Sequence, residues 1–285
     1  GLLRGELRLS NKDHSIAIPL RFYESPENNK TERYRFDFER SGAPDWVLEN
    51  NAMRVVAAPA RGGRIQSIAR RNPTSSVTSP GGAMRDYFRI AGASEPVPAT
   101  LNTAFDAHWI EDPASPGIAM SGRFPDGLPF SGELEKTVRI SGDRKIDVAY
   151  QAKLAEPSAT APSMITAFGV AATDAGEQGT QFCWSESSES TEAPKPNGGS
   201  GAAQNAAPRH CEAFRANAVD IRVPENVHSL EVRNQGQPAL AMEWEEGSVS
   251  IKQAAASAEL RLEFAPSGSA PVRPTVSYTL APGGI

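Results

Sequence analysis

"VLENNAMRVVAAPARGGRIQSIARR", Val47 to Arg71, sets two apolar runs on either side of Ala60-Arg61-Gly62-Gly63. The first run closes on Pro59 and the second on Arg70-Arg71. Two strands joined by a glycine corner fit this pattern. Glycine enters the left-handed region without a Cβ clash, so Gly62 supplies a positive φ and Gly63 a tight reversal. Val55, Val56, Ile65 and Ile68 are the expected core residues of the pair.

The same alternation recurs along the chain. "RYRFDFE" places Tyr34, Phe36 and Phe38 on one face and Arg35, Asp37 and Glu39 on the other. Strands are also predicted in "ELRLS", "SIAIPLRFYE", "KTVRIS", "KIDVAYQAKL", "SMITAFGVAA", "TQFCWSE", "AVDIRVP", "HSLEVRN", "ALAMEWEE" and "TVSYTLAP". "SIKQAAASAELRL" is rich in alanine, yet Val249, Ile251, Leu260, Leu262 and Phe264 alternate, so it reads as two strands around the alanines. Helical periodicity is scarce. Many short strands with close turns define an all-β sandwich or barrel, not βαβ units. Residues 71–82 and 186–208 read as loops, because they lack large apolar groups.

The chain has 285 residues, enough to bury roughly three quarters of its unfolded surface. Its 24 glycines and 23 prolines suit a fold with many turns. A formal net charge of −5 argues against nucleic acid as a partner, since phosphate neutralisation dominates that affinity. No apolar run is long enough for a membrane span. The start at Gly1 rather than Met points to a processed or excised chain. Cys183, Cys211 and the adjacent His210 leave a zinc ligand set one group short, so no metal and no cofactor are expected.

A strand ending in proline, a Gly-Gly corner and then "RIQSI" resembles the opening of galactose-mutarotase-like β-supersandwiches. "MRDYFRIAG", then "ELEKTVRISGDRKIDVAYQAKL", then "LAMEWEEGSVSIKQ…ELRLEF" resemble, in order, the middle and closing strands of such domains appended to glycoside hydrolases and glucan-processing enzymes. The resemblance implies a large two-sheet antiparallel sandwich with a sugar-handling concave face. Catalytic members use a glutamate base and a histidine acid on separate strands. None of the four histidines (His14, His108, His210 and His228) stands in the family's catalytic context, so no catalytic residue is carried over.

Four constellations carry candidate chemistry. "FDAHWIEDP" gathers Asp106, His108, Trp109, Glu111 and Asp112, which read as a sugar subsite or as a loop with one buried Trp. "MRDYFR" offers Arg85, Asp86, Tyr87 and Arg89, either a guanidinium–carboxylate sugar clamp or a structural ion pair. Glu243 and Glu245 in "AMEWEEG" stand too close together to straddle a glycosidic bond, which favours a solvated acidic strand around a core Trp244. His210 and Cys211 are adjacent and point to opposite strand faces, which argues against a Cys–His nucleophile. The expected carbohydrate-binding set is Arg64, Arg85, Asp86, His108, Trp109 and Glu111.

The organisation expected is N-terminal strands or a linker over residues 1–40, packed on a supersandwich domain over 41–285 with a flexible loop at 186–208. The favoured function is a non-catalytic or accessory module of a larger carbohydrate-active protein. An aldose epimerase-like enzyme is the main alternative, and a structural or adhesive sandwich the second. Its partners would be oligo- or polysaccharide and other domains of a longer polypeptide. If "TQFCW" and "HCEAF" are neighbouring antiparallel strands, Cys183 and Cys211 can bridge. The other reading is two separate buried thiols. A carbohydrate-active module implies export, hence a periplasmic or extracellular site where a bridge persists.

Overall fold

"GELEKTVRI" shows how the strands arise. Leu134, Val138 and Ile140 alternate with Glu133, Glu135 and Arg139, and burial in the structure follows that period of two. The computed structural model describes residues 2–10, 15–23, 30–37, 41–70, 83–90, 97, 103–124, 131–154, 162–185, 209–264 and 274–281. The regular elements there are β-strands and short 3-10 turns, with no α-helix among the described residues.

In chain order the strands are β1 (Leu2–Ser10), β2 (Ser15–Tyr23), β3 (Glu32–Phe36), β4 (Asp45–Glu49), β5 (Met53–Ala58), β6 (Arg64–Arg70), β7 (Met84–Arg89), β8 (Asp106–Ile110), β9 (Gly117–Arg123) and β10 (Gly132–Ile140). There follow β11 (Lys145–Leu154), β12 (Ser163–Ala171), β13 (Thr180–Ser185), β14 (Arg209–Ala213), β15 (Ile221–Arg222), β16 (Ser229–Asn234), β17 (Gln237–Trp244), β18 (Ser248–Gln253), β19 (Ser257–Phe264) and β20 (Thr275–Leu280). Sheet I has the order β14-β13-β16-β17-β20-β11-β10-β9-β8, and sheet II the order β15-β18-β19-β12-β7-β6-β5-β4-β3. Neighbours are antiparallel in both, and β1 and β2 pair as a separate hairpin. The fold is thus a large two-sheet β-supersandwich. β3, from the stretch expected to be leading strands or linker, is an edge strand of sheet II.

The core lies between the sheets. Phe168 of sheet II stacks on Tyr278 of sheet I with centroids 4.5 Å apart. At one edge Trp46 of β4 meets Trp109 of β8 at 4.4 Å. Arg33 lies over Trp109, donates to the Ile110 carbonyl at 3.0 Å and pairs with Glu111 at 2.8 Å. Arg35 lies over Trp46. So Arg33 and Arg35 close the sandwich edge, while Tyr34 turns outward and donates to Glu49 at 2.5 Å. Phe38 and Glu39 lie outside the described residues, as do the expected loops 71–82 and 186–208.

The Gly-Gly corner forms, with one difference. Pro59–Arg61 make a 3-10 turn, and Gly62 and Gly63 have φ of 76° and 60°. A Cβ on Gly63 would stand 3.1 Å from the Phe105 ring, so Gly63 serves ring packing as well as reversal. Val55, Ile65 and Ile68 are fully buried between the sheets. Val56 is buried as well, on the other face of β5 from Val55 and outside the main cluster. The alanine-rich stretch is the β18–β19 hairpin, as read from its alternation.

Candidate functional site

The six expected binding residues do not share a face. Arg85 and Asp86, adjacent on β7, point to opposite sides, as strand geometry requires. Asp86 is buried between the sheets, 2.6 Å from Lys136 Nζ, and accepts from the Tyr150 hydroxyl at 2.8 Å. Tyr150 in turn meets Thr166 Oγ1 at 2.9 Å. Asp86 is therefore a core residue, not half of an Arg–Asp clamp. Trp109 belongs to the edge stacking, and Glu111 to the Arg33 pair. His108 is exposed at the far edge of sheet I. Arg64 and Arg85 remain, both on the outer face of sheet II.

That face holds residues the sequence reading passed over. β7 and β19 are each hydrogen-bonded to β12, so β12 separates them. Even so, Arg85 of β7 pairs with Glu259 of β19, its Nε 3.1 Å from Oε1, and Arg89 pairs with Glu263. Strands lie about 4.8 Å apart, so each pair spans roughly 10 Å and passes over β12. Under the Arg85–Glu259 pair the outward residues of β12 are Ala167 and Gly169, too small to obstruct the crossing, and the Arg89–Glu263 pair passes over Ser163 and Ile165. Beneath the ion pairs, Tyr87, Ile165 and Ala167 form a small buried cluster separate from the main core.

Glu259 also accepts from Arg261 Nε at 2.7 Å. Burial works to raise its pKa, but hydrogen bonds from Arg85 and Arg261 outweigh burial and hold the carboxyl below its usual range. Burial raises the Tyr87 hydroxyl above its ordinary value, against the opposing charge of Arg261. The result is an ionised carboxylate gripped by two guanidiniums beside a neutral phenol. This arrangement offers fixed hydrogen-bond donors and acceptors. It makes a weak base, because a general base works best with a pKa near the operating pH.

The signal for this site was present in "ELRLEF", where Glu259, Arg261 and Glu263 alternate with Leu260, Leu262 and Phe264. Alternation alone reads as a solvated strand face. What it lacks is the partner, 174 residues away on β7. Elsewhere, Glu243 is exposed on the outer face of sheet I and Trp244 is buried, while Glu245 lies in the turn after β17. His210 and Glu212 share a face and meet at 3.0 Å, away from Cys211. His14 lies outside the described residues. Cys183 and Cys211 face each other across β13–β14 and form a disulfide. A cleft of about 330 Å³ lies between the β10–β11 turn and the ends of β17 and β20. Its one acid on sheet I, Glu231, is already held by Arg209 and Arg233. Among the described residues no cluster of three metal-ligating side chains occurs, and no helix is long and apolar enough to cross a membrane.

Two antiparallel sheets in this order, with the Gly-Gly corner joining β5 to β6 in the second, are the galactose-mutarotase-like fold. Solved structures share it. The chain matches a 4-alpha-glucanotransferase from Thermococcus litoralis at a TM-score of 0.58 and 11% identity, over 88% of this chain and 40% of that one. It matches a galactose mutarotase-like protein from Lactobacillus casei at 0.56 and 8%, over 88% of this chain and 100% of the other. A galactose mutarotase related enzyme from Lactobacillus acidophilus matches at 0.57 and 11%, over 84% and 97%. No family model matches the sequence, and neither does any curated protein.

Proposed function

We propose that this chain is a carbohydrate-handling supersandwich module that holds glycan on the outer face of sheet II and catalyses no reaction on it. One observation carries the reading. The face presents Arg85, Arg261 and Glu259 above the buried Tyr87 and a floor of Ala167 and Gly169, and no histidine among the described residues joins them. Guanidinium and carboxylate groups suit sugar hydroxyls, and an acid–base pair needs two groups tuned to exchange a proton. Glu259, gripped by two arginines, is tuned the other way. The Cys183–Cys211 bridge supports export to a periplasmic or extracellular space.

A free-standing aldose epimerase-like enzyme is the second reading. The whole-length match to the Lactobacillus casei protein favours it, whereas the fold is 40% of the glucanotransferase. A glycan array on the wild type and on Arg261→Ala tests the binding face. Binding lost in the variant supports the module, and no binding by the wild type rejects it. Polarimetry on freshly dissolved α-glucose and α-galactose tests the enzyme. A rate well above buffer would replace the first reading with the second.

A further inference from the structure

The strand register draws a transverse line across the outer face of sheet II. Ile65 pairs with Met84, which sets Arg64 opposite Arg85. Arg85 pairs with Ala167, Ala167 with Arg261, Arg261 with Ser250, and Ser250 with Arg222. Alternation turns all of these outward, since Met84, Phe168, Leu260 and Ile251 beside them are core residues. From β7 outward the row therefore reads Arg85, Ala167, Arg261, Ser250, Arg222. Cation and small residue take turns, so the Cα atoms of Arg85, Arg261 and Arg222 stand roughly 10 Å apart, two strand spacings each, while Arg85 and Arg261 both turn their guanidiniums to Glu259.

The charge of this half of the face is one-sided. Arg64, Arg85, Arg89, Arg222, Lys252 and Arg261 face Glu259 and Glu263, with Asp220 close enough to act on Arg261. The excess is positive on a chain whose formal net charge is −5. The acids Asp45 and Glu49, toward the β3 edge, are taken up by Arg61 and Arg54. On the outer face of sheet I the charges pair off, Lys153 with Glu135 and Arg209 with Glu231. Arg64 and Arg222 pair with no acid among the described residues, so they carry the unbalanced charge of the row.

We infer that the ligand of this face is an acidic polysaccharide, a chain of sugars bearing carboxylate or sulfate groups, laid across the strands along the Arg64–Arg222 row. This rests on the glycan-binding reading above and names its substrate class. A single anionic sugar would call for cations that converge on one point. Cations set along a row of five strand spacings, roughly 24 Å from Arg64 to Arg222, suit anions repeated along a polymer. Each guanidinium already held by Glu259 keeps N–H donors to spare, since the group carries five.

Calorimetric titration of the chain with an oligogalacturonate, a neutral malto-oligosaccharide of equal length and inorganic polyphosphate tests the inference. The acidic glycan should bind, with affinity falling as salt rises, and the other two should bind far more weakly. Arg64→Gln and Arg222→Gln, neither of which breaks an ion pair, should each weaken that binding roughly tenfold, the worth of one charge-assisted contact. Lys153→Gln on the opposite sheet should leave it unchanged. Equal binding of the neutral glycan, untouched by Arg222→Gln, overturns the acidic ligand and leaves the glycan-binding module standing. Polyphosphate binding as tightly as the acidic glycan also overturns it, because the sugar would not be read. Binding of no saccharide at all overturns both readings.

Discussion

Lys136 of sheet I and Asp86 of sheet II meet inside the sandwich, Nζ 2.6 Å from Oδ2, with neither side chain more than 2% exposed. Tyr150 and Thr166 complete the hydrogen bonding. A buried pair of this kind adds little over an apolar pair of the same shape, but removing one partner strands the other charge. Asp86→Leu or Lys136→Met alone is therefore expected to cost about 3–5 kcal/mol. The double variant should be markedly more stable than either single one. Urea unfolding of the three variants gives the comparison. Additive losses in the double variant would show that the pair does not act as a unit.

The Cys183–Cys211 disulfide closes a loop with a sequence separation of 28. On the chain-entropy model such a loop is worth about 3–4 kcal/mol. Thiol counting in denaturant without reductant should find no free thiol. Cys183→Ala/Cys211→Ala should lower the urea midpoint by a corresponding amount. Two free thiols per chain, or an unchanged midpoint, would remove the bridge from the stability of the fold.

Gly63 and Gly42 both have positive φ, but only Gly63 has an aromatic ring where its Cβ would stand. An alanine in this backbone region costs about 1–2 kcal/mol. Gly63→Ala should therefore destabilise more than Gly42→Ala, by the extra contact with Phe105. Phe105→Leu in the Gly63→Ala background should recover part of the difference. Equal costs at the two glycines would mean that Phe105 yields freely.

Stability should fall at both ends of the pH scale, from different groups. Glu259 has a folded pKa below its unfolded one. Its contribution is present above the ordinary carboxylate range and is lost as pH falls through the folded value. Tyr87, Tyr150 and Tyr278 are raised, in each case chiefly by burial. Their contribution is complete below the ordinary tyrosine value and is lost as pH rises through the folded ones. A tyrosinate absorbance titration should show these three ionising only as the fold is lost. Reversible ionisation of all five tyrosines in the folded state would contradict the burial.

Local pattern alone determined much of this protein. A side-chain period of two is a property of the extended backbone, so alternation marked the strands, the β18–β19 hairpin and most core residues from sequence. The Gly-Gly corner was legible for the same reason, because only glycine relieves that backbone. Alternation also assigns neighbours such as Arg85 and Asp86 to opposite faces, but it cannot say which face is core. That depended on pairing: β7 lies beside β12, and β12 beside β19, far apart in sequence. Asp86 became a core residue because Lys136 comes from the other sheet to meet it. Glu259 meets Arg85 because Ala167 and Gly169 leave space for the side chain to cross β12. The sequence holds each residue's chemistry, while the register of strands many residues apart decides which groups meet, since that register is set by burying both sheets' apolar faces at once.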